Sequence, residues 1–364
     1  MSTADRLPDF PWDTIAGAKA VASAHPDGIV DLSVGTPVDP TPQLGRDALA
    51  EASDAHGYPT VWGTSALRQA VIDYLVTRWA AITLPHEGIM PVIGTKELVA
   101  WLPTLLGLGP DDLVVYPTTA YPTYEVGAAL ARTQRLACDD PGSIVGTPRL
   151  IWLNSPANPH GAILDADATR AWITYAREVG AILASDECYG EFAWDAEPVS
   201  VLRADLCDGR PDNLLALGSL SKRSNLAGYR AGYVAGDPAV VMELVGVRKH
   251  AGMMVPTPVQ EAMRVLLGDQ GHVEAQRERY LARRRALRPA LEAAGFRVDH
   301  SEGSLYLWVT RGEDCRATVD WMAERGILVA PGDFYGAAGR QHVRVALTAT
   351  DERIAAAVTR LSAS

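Results

Sequence analysis

Cysteine is scarce and scattered. The 364-residue chain has four, Cys138, Cys188, Cys207 and Cys315, with no CxxC pair among them. That spacing argues against a disulfide framework and against a zinc-type ligand set, and leaves reduced core or surface thiols. No metal site is expected. Positive charge is also short, with 33 Lys and Arg against 44 Asp and Glu, for a formal net charge of −11. A phosphate backbone needs a basic surface, so nucleic acid is not expected as a general partner, although a local basic patch can still hold a small anion. Long apolar runs are missing too. The most membrane-like stretch, "LVAWLPTLLGLG", is too short to span a bilayer and carries Pro103. The opening "MSTADRLPDFPWD" lacks a basic stretch followed by an apolar one, so no secretory signal is read there and a cytoplasmic location is expected.

What is present is an ordinary globular balance, 48% apolar and 21% charged residues, in a chain long enough for two lobes. Short apolar runs without clean alternation ("IMPVI", "LVVY", "RLIWLN", "AILASD", "LLALGS") fit strands buried on both faces. Between them lie helix patterns over residues 64–81 and 165–179, the second opened by Asp165 and closed by Gly180. This β-α-β-α order predicts an α/β doubly wound domain with a mostly parallel sheet. After about Gly268 the texture changes. "VEAQRERYLARRRALRPALEAAG" reads as one long amphipathic helix whose charge run is most simply a solvated face. "LYLWV", a helix around Asp320, "ILVA" and "HVRVAL" then suggest a smaller α+β lobe. The first 45 residues, rich in Pro and Gly and without strong periodicity, are placed against that lobe. The expected division is a large domain over 46–284 and a small one built from 1–45 and 285–364.

Several stretches carry chemistry. In "VIGTKELVAWL" a strand runs into Gly94-Thr95-Lys96 and a helix, so free amides face a ready anion site; a plain glycine turn with Thr95 as N-cap is the simpler reading. "NSPANPHG" is an irregular loop at a strand end, where Asn158 serves equally as turn former or ligand donor. Asp186 ends the strand of "AILASDECYGEF", with Tyr189 three residues on. It either caps the turn or holds a ligand nitrogen protonated. "SLSKRSNLAGYR" supplies Ser219, Ser221, Lys222 and Arg230. Ser219 and Lys222 also fit the S-x-x-K pattern of serine β-lactamases, but the SDN and KTG partners that pattern requires are absent. A lysine after a strand, an upstream carboxylate, an asparagine, a helix N-terminus, hydroxyls and an arginine together describe a pyridoxal phosphate site.

In this order the motifs make the chain resemble the class I/II aminotransferases of the aspartate-aminotransferase fold type, over essentially its whole length. The resemblance implies that Lys222 binds the cofactor aldehyde and shuttles a proton at the substrate α-carbon. It implies that Asp186 pairs with the pyridine nitrogen, and that Tyr189 and Asn158 bond the ring oxygen. Tyr121, in "YPTTAYPTYEVG", would stack on the ring, and Thr95, Lys96, Ser219, Ser221 and Arg230 would cradle the phosphate. Tyr58, in "GYPTVWG", would reach the phosphate in a neighbouring subunit, implying a homodimer with shared active sites. Arg344, in "HVRVAL", would clamp the substrate α-carboxylate, and Gly35 would let the backbone approach the substrate. One departure is His160 in "NPHG", where the family commonly has threonine; an exposed turn histidine is expected.

Within that family, "YPTVWGTSALRQAVIDYL", "RKHAGMMVPTPVQEAM" and the segment around "LSVGTPVDPTP" most resemble actinobacterial N-succinyldiaminopimelate aminotransferases. The implied reaction exchanges an amino group between succinyldiaminopimelate and 2-oxoglutarate in lysine and diaminopimelate biosynthesis. An aspartate or broad-specificity aminotransferase is the alternative, with a carbon–sulfur β-lyase behind it. A ligand sensor fused to a DNA-binding domain would need an N-terminal helix-turn-helix that the sequence does not display. For the distal end of a long substrate, Arg248 and Lys249 are candidates, weighed against a role at a helix C-terminus.

Overall fold

Alternate residues of the apolar runs fall into two different cores, which is why those runs show no polar alternation. Ile151 and Leu153 join one cluster, while Leu150 and Trp152 join another on the opposite face of the same sheet. The computed structural model describes residues 4–362; residues 1–3 and 363–364, the outermost of the two terminal segments assigned above to the small domain, lie outside them.

A two-residue strand β1 (Val30–Asp31) precedes the main sheet. That sheet contains β2 (Ile89–Ile93), β3 (Leu113–Tyr116), β4 (Gln134–Ala137), β5 (Pro148–Asn154), β6 (Ile182–Asp186), β7 (Leu214–Ser219) and β8 (Ala231–Gly236), in the order β2-β8-β7-β6-β5-β3-β4. Pairings from β4 through β7 are parallel, and β8 alone runs against its neighbours. The fold class is therefore the α/β, mostly parallel arrangement expected. The run of small residues after Arg230 is itself a strand, not merely a ligand loop. Its glycines admit close neighbours: a Cβ at Gly236 would meet the Leu214 carbonyl at 1.9 Å.

The expected helix boundaries follow their caps. Thr64 accepts from the Leu67 amide at 3.1 Å to open Ser65–Trp79, and Asp165 accepts from Ala168 at 2.8 Å to open Ala166–Val179, which Gly180 ends at φ +70°. A second, antiparallel sheet joins β9 (Arg297–Asp299), β10 (Tyr306–Thr310), β12 (Ala330–Pro331) and β13 (Val343–Ala346) in the order β12-β13-β10-β9. The run "ILVA" is split between the two small sheets: β11 (Ile327–Leu328) pairs with β1 in parallel, and Ala330 opens β12.

The N-terminal segment is more regular than its composition indicates. Residues Ala16–Ser23 form a helix packed on the helix Cys315–Glu324, and Ile15 and Ala22 share a core with Trp308 and Leu328. The long helix Gly271–Ala293 corrects the solvated-face reading. Arg283 is buried, bonding Asp39 at 2.7 and 2.8 Å and Asp351 at 2.7 Å, while Arg284 is held by Asp195. Arg283 ties the helix to Asp39, just beyond Gly35, and Arg284 ties it to Asp195, so its charge run is partly an internal clamp. Among the described residues no helix is long and apolar enough to cross a membrane.

Candidate active site

The C-terminal ends of β5, β6 and β7 meet where β10, β13 and the N-terminal segment face the main sheet, and a cavity of about 660 Å³ opens there. Strand ends of this kind are where open α/β sheets take ligands. Twelve of the residues singled out above line it together; Tyr58, 96% exposed, does not.

The wall at the sheet is set by Asp186. As the last residue of β6 its side chain is buried, with one oxygen accepting from the Tyr124 hydroxyl at 2.9 Å and the other from the Cys188 amide at 3.2 Å. It therefore caps the turn and also faces the cavity. Burial raises its carboxyl above the usual range, against the lowering by Cys188 and Tyr124, so a cationic nitrogen placed beside it would be a stabilising partner. Tyr124 is fixed by stacking on Trp152, ring centroids 5.0 Å apart.

Lys222 projects from the short helix Leu220–Arg223, which directly follows β7 and is capped by the Ser219 hydroxyl accepting from the Ser221 amide at 3.1 Å. Its ammonium donates to the Gly35 carbonyl. Burial, with Arg344 and Arg230, holds this amine below the ordinary lysine range, and Tyr306 only partly opposes the shift. A lowered amine is the more available nucleophile. Gly35 is required here for a reason not visible in its motif: a Cβ would lie 2.0 Å from the Tyr306 hydroxyl.

At the anion end, the helix Thr95–Leu105 starts on Gly94, at φ +72°. Gly94 is the N-cap and Thr95 the first helical residue, so the Thr95 cap considered above is not formed. A Cβ on Gly94 would sit 2.2 Å from an Arg230 nitrogen, which places the guanidinium against the open amides of the helix. The Lys96 ammonium lies 5.9 Å from the ring centres of Tyr121 and Phe10, and burial, with Arg230, lowers it.

At the far end Arg344 is buried in β13. It donates to the Asn158 side-chain oxygen at 2.8 Å and the Ser33 carbonyl at 2.7 Å, and stacks over Tyr306 at 4.0 Å. Its Nε is buried and finds no acceptor among the described residues. Arg344 lines the cavity, and a buried cation with a donor left unpaired favours an anionic ligand there. Tyr189, buried, places its hydroxyl 3.0 Å from that of Tyr306. The Asn158 amide N–H donates to Asn154, which in turn donates to the Asp186 carbonyl, so the Asn/Pro loop is pinned to β6.

Other cavity residues stand outside the motifs. Tyr306 belongs to a strand that is buried at every position, so its sequence does not mark which face it takes; Tyr124 lies three residues after Tyr121 and reads as helix core; Phe10 and Trp12 come from the Pro-rich N-terminus. Two expectations are corrected. His160 is half-buried beside His300, and burial with that neighbour lowers its imidazole to about 4. Arg248 is fully buried in a two-pronged pair with Glu97, at 2.8 and 3.0 Å, and is not a free cation for substrate. Glu97 lies in the first turn of the helix that starts at Thr95, so the pair braces the anion site from behind. Arg248→Met is expected to destabilise the fold by about 3–5 kcal/mol in chemical denaturation, because it leaves the Glu97 charge unpaired. Turnover of the folded fraction should then fall alike on all amino donors.

Comparison with known proteins agrees with this geometry. The family model described as "Aminotransferase class I and II" matches residues 27–361. A probable aminotransferase of Mycobacterium tuberculosis is 60% identical over 357 residues, covering 98% of this chain and 85% of that protein. A 4-dedimethylamino-4-oxo-anhydrotetracycline transaminase of Streptomyces rimosus is 55% identical, covering 98% and 99%. Among solved structures, a probable N-succinyldiaminopimelate aminotransferase from Thermus thermophilus superposes with a TM-score of 0.88 at 26% identity, covering 97% of this chain and 99% of that one.

Proposed function

The chain belongs to the class I and II aminotransferase family, and from that premise we propose that it transfers the α-amino group of N-succinyldiaminopimelate to 2-oxoglutarate. The family is pyridoxal-phosphate-dependent, and the residues here fit that cofactor. A buried carboxylate with a raised protonation range, a half-buried amine and an arginine pressed on a helix N-terminus lie in one cavity at the ends of adjoining strands. That grouping of Lys222 with Asp186 carries the aminotransferase chemistry, and the choice of substrate is supported by the resemblance in "RKHAGMMVPTPVQEAM" and by the Thermus thermophilus neighbour.

Pyridoxal phosphate, when bound, supplies an aldehyde that carries the amino group and a ring that takes up an electron pair. The roles of this chain follow from charge and position. Lys222 Nζ holds the cofactor and carries a proton to and from the substrate α-carbon. Asp186 keeps the ring nitrogen protonated. Tyr189 and Asn158 donate toward the ring oxygen, Tyr121 covers the ring, and the Thr95 and Lys96 amides with Ser219, Ser221 and Arg230 take the phosphate. Arg344 clamps the substrate α-carboxylate, and Gly35 supplies a carbonyl for the lysine. Enzymes of this fold typically form homodimers. Tyr58, almost fully exposed here, is assigned to the partner's phosphate site.

The distal carboxylates of succinyldiaminopimelate need a cation beyond Arg230 and Arg344. Lys96, with no ion pair among the described residues, is the group this cavity offers. A second reading is favoured by the aromatic mouth, where Phe10 and Trp12 lie 5.7 Å apart and Trp12 meets Phe334 at 5.3 Å. Such a wall also suits a flat polycyclic ketone of the kind named for the Streptomyces relative. Single half-reactions followed by the cofactor's visible absorbance separate the two. Succinyldiaminopimelate and glutamate are expected to convert the enzyme with kcat/KM at least about ten-fold above aspartate, a difference of about 1.4 kcal/mol. Transfer to 4-oxo-anhydrotetracycline with no reaction of succinyldiaminopimelate would select the second reading.

A further inference from the structure

Beside residues 223–225, just past Lys222, lies a second pocket of about 190 Å³, bounded by the start of the helix Gln43–Glu51 and by the helix Gly271–Ala293. At ~30 Å³ per water this is room for an ion of several atoms. The start of the helix Gln43–Glu51 is bare. Pro42 stands at its N-cap, no side chain accepts from its first amides, and its first turn holds no acid. Instead Arg46, one turn in, reaches back to the Gln43 side-chain oxygen. A cation at a helix N-terminus is unfavourable unless an anion sits with it. Two groups in the same wall lack partners. Arg223 is only 3% exposed; its Nη1 meets the Leu266 carbonyl at 3.5 Å, and its Nε and Nη2 make no hydrogen bond among the described residues. Glu191 approaches that Nε to 3.7 Å, as an ion pair without a hydrogen bond. Asn225 has the opposite need. Its Nδ2 donates to the Pro40 carbonyl at 3.2 Å and to Gln276 at 3.0 Å, which fixes the orientation of the amide, and its Oδ1 is buried without a donor. Arg279, exposed at the rim, makes no hydrogen bond or ion pair among the described residues. The neighbours that compete for these groups are already engaged, Asp39 by Arg283 and Gln276, and His272 by Ser224 and Asp269.

We propose that this pocket binds inorganic phosphate in a form that still carries a proton. Arg46, Arg223, Arg279 and the open amides of the helix Gln43–Glu51 supply the positive field. The ion's O–H donates to Asn225 Oδ1, which no fully ionised oxyanion can serve. The bound ion joins residues 40–43, the segment after Lys222 and the helix Gly271–Ala293. The site does not depend on which amino donor the enzyme takes.

The test is calorimetric titration of the holoenzyme, whose cofactor already fills the catalytic phosphate site, with inorganic phosphate and with sulfate at constant ionic strength. Wild type is expected to bind phosphate saturably at this pocket, one ion per chain. Sulfate has a similar shape but no proton to give, and is expected to bind about three-fold or more weakly for want of one hydrogen bond. The double variant Arg46→Gln/Arg279→Gln changes only exposed side chains outside the catalytic cavity. It is expected to keep wild-type turnover and to bind phosphate about ten-fold or more weakly. Phosphate held at Arg344 instead would bind the double variant unchanged. That result overturns the proposal, as does sulfate bound as tightly as phosphate, or the absence of saturable phosphate binding to wild type.

Discussion

Replacing Lys222 by alanine is expected to abolish transamination, with turnover down by at least about a thousand-fold, equivalent to roughly 4 kcal/mol of barrier. No other amine among the cavity residues is placed to substitute for it. Lys96 is the nearest candidate in kind, but it sits over Tyr121 and Phe10 at the anion end, not beside Gly35. The variant should fold and keep a cofactor pocket. The Ser219 cap, the Gly94 helix start and Arg230 do not depend on the lysine side chain, and its one protein bond is to a backbone carbonyl. The measurement is twofold: turnover on glutamate, and visible absorbance after mixing with pyridoxal phosphate. Loss of the lysine-linked band with retained phosphate binding is the expected pair of results. Turnover within ten-fold of wild type would remove Lys222 from the proposed chemistry.

Asp186→Asn is the second large effect, and it separates charge from architecture. An asparagine oxygen can still accept from Tyr124 or from the Cys188 amide, so the hydrogen-bonded wall is largely kept. What is lost is the negative charge that keeps a ring nitrogen protonated. The rate should fall by about a hundred-fold or more, roughly 3 kcal/mol, with little change in the unfolding midpoint. Asp186→Ala should add a stability loss of about 1–3 kcal/mol, since it strands the buried Tyr124 hydroxyl. Retention of more than about a tenth of the wild-type rate by Asp186→Asn, a loss of only about 1.4 kcal/mol, would remove the electron-sink role.

Much of this site is legible in the sequence because its residues sit at element boundaries that have their own local signals. Asp186 ends an apolar run, Ser219 is an N-cap, Gly94 begins a helix, and each boundary is set within a few residues of chain. The same holds for the fold as far as the parallel strands, whose apolar runs are long enough to stand out. What was not legible depends on contacts between distant segments. Strand β8 is mostly small residues and has no apolar run of its own; it becomes a strand because β2 and β7 flank it. Arg248, Arg283 and Arg284 look like surface charge until their partners Glu97, Asp39 and Asp195 are brought in from other parts of the chain. Tyr306 is one inward residue of a buried strand, and only the approach of Gly35 and Arg344 distinguishes it.

The lone antiparallel strand also bears on how the enzyme comes into being. Strand β2 leads straight into the helix Thr95–Leu105, yet among the described residues its only partner in the sheet is β8, about 140 positions later in the chain. Closing so long a loop is slow and entropically unfavourable, and it yields no sheet contacts for β2 until it is complete. A chain emerging from the ribosome therefore holds residues 89–105 without their sheet neighbour until residue 236 has been made. Lys222 and Arg230 emerge in the same late stretch. On the roles proposed above, the phosphate site and the aldehyde site are therefore both completed only with this late stretch of the chain.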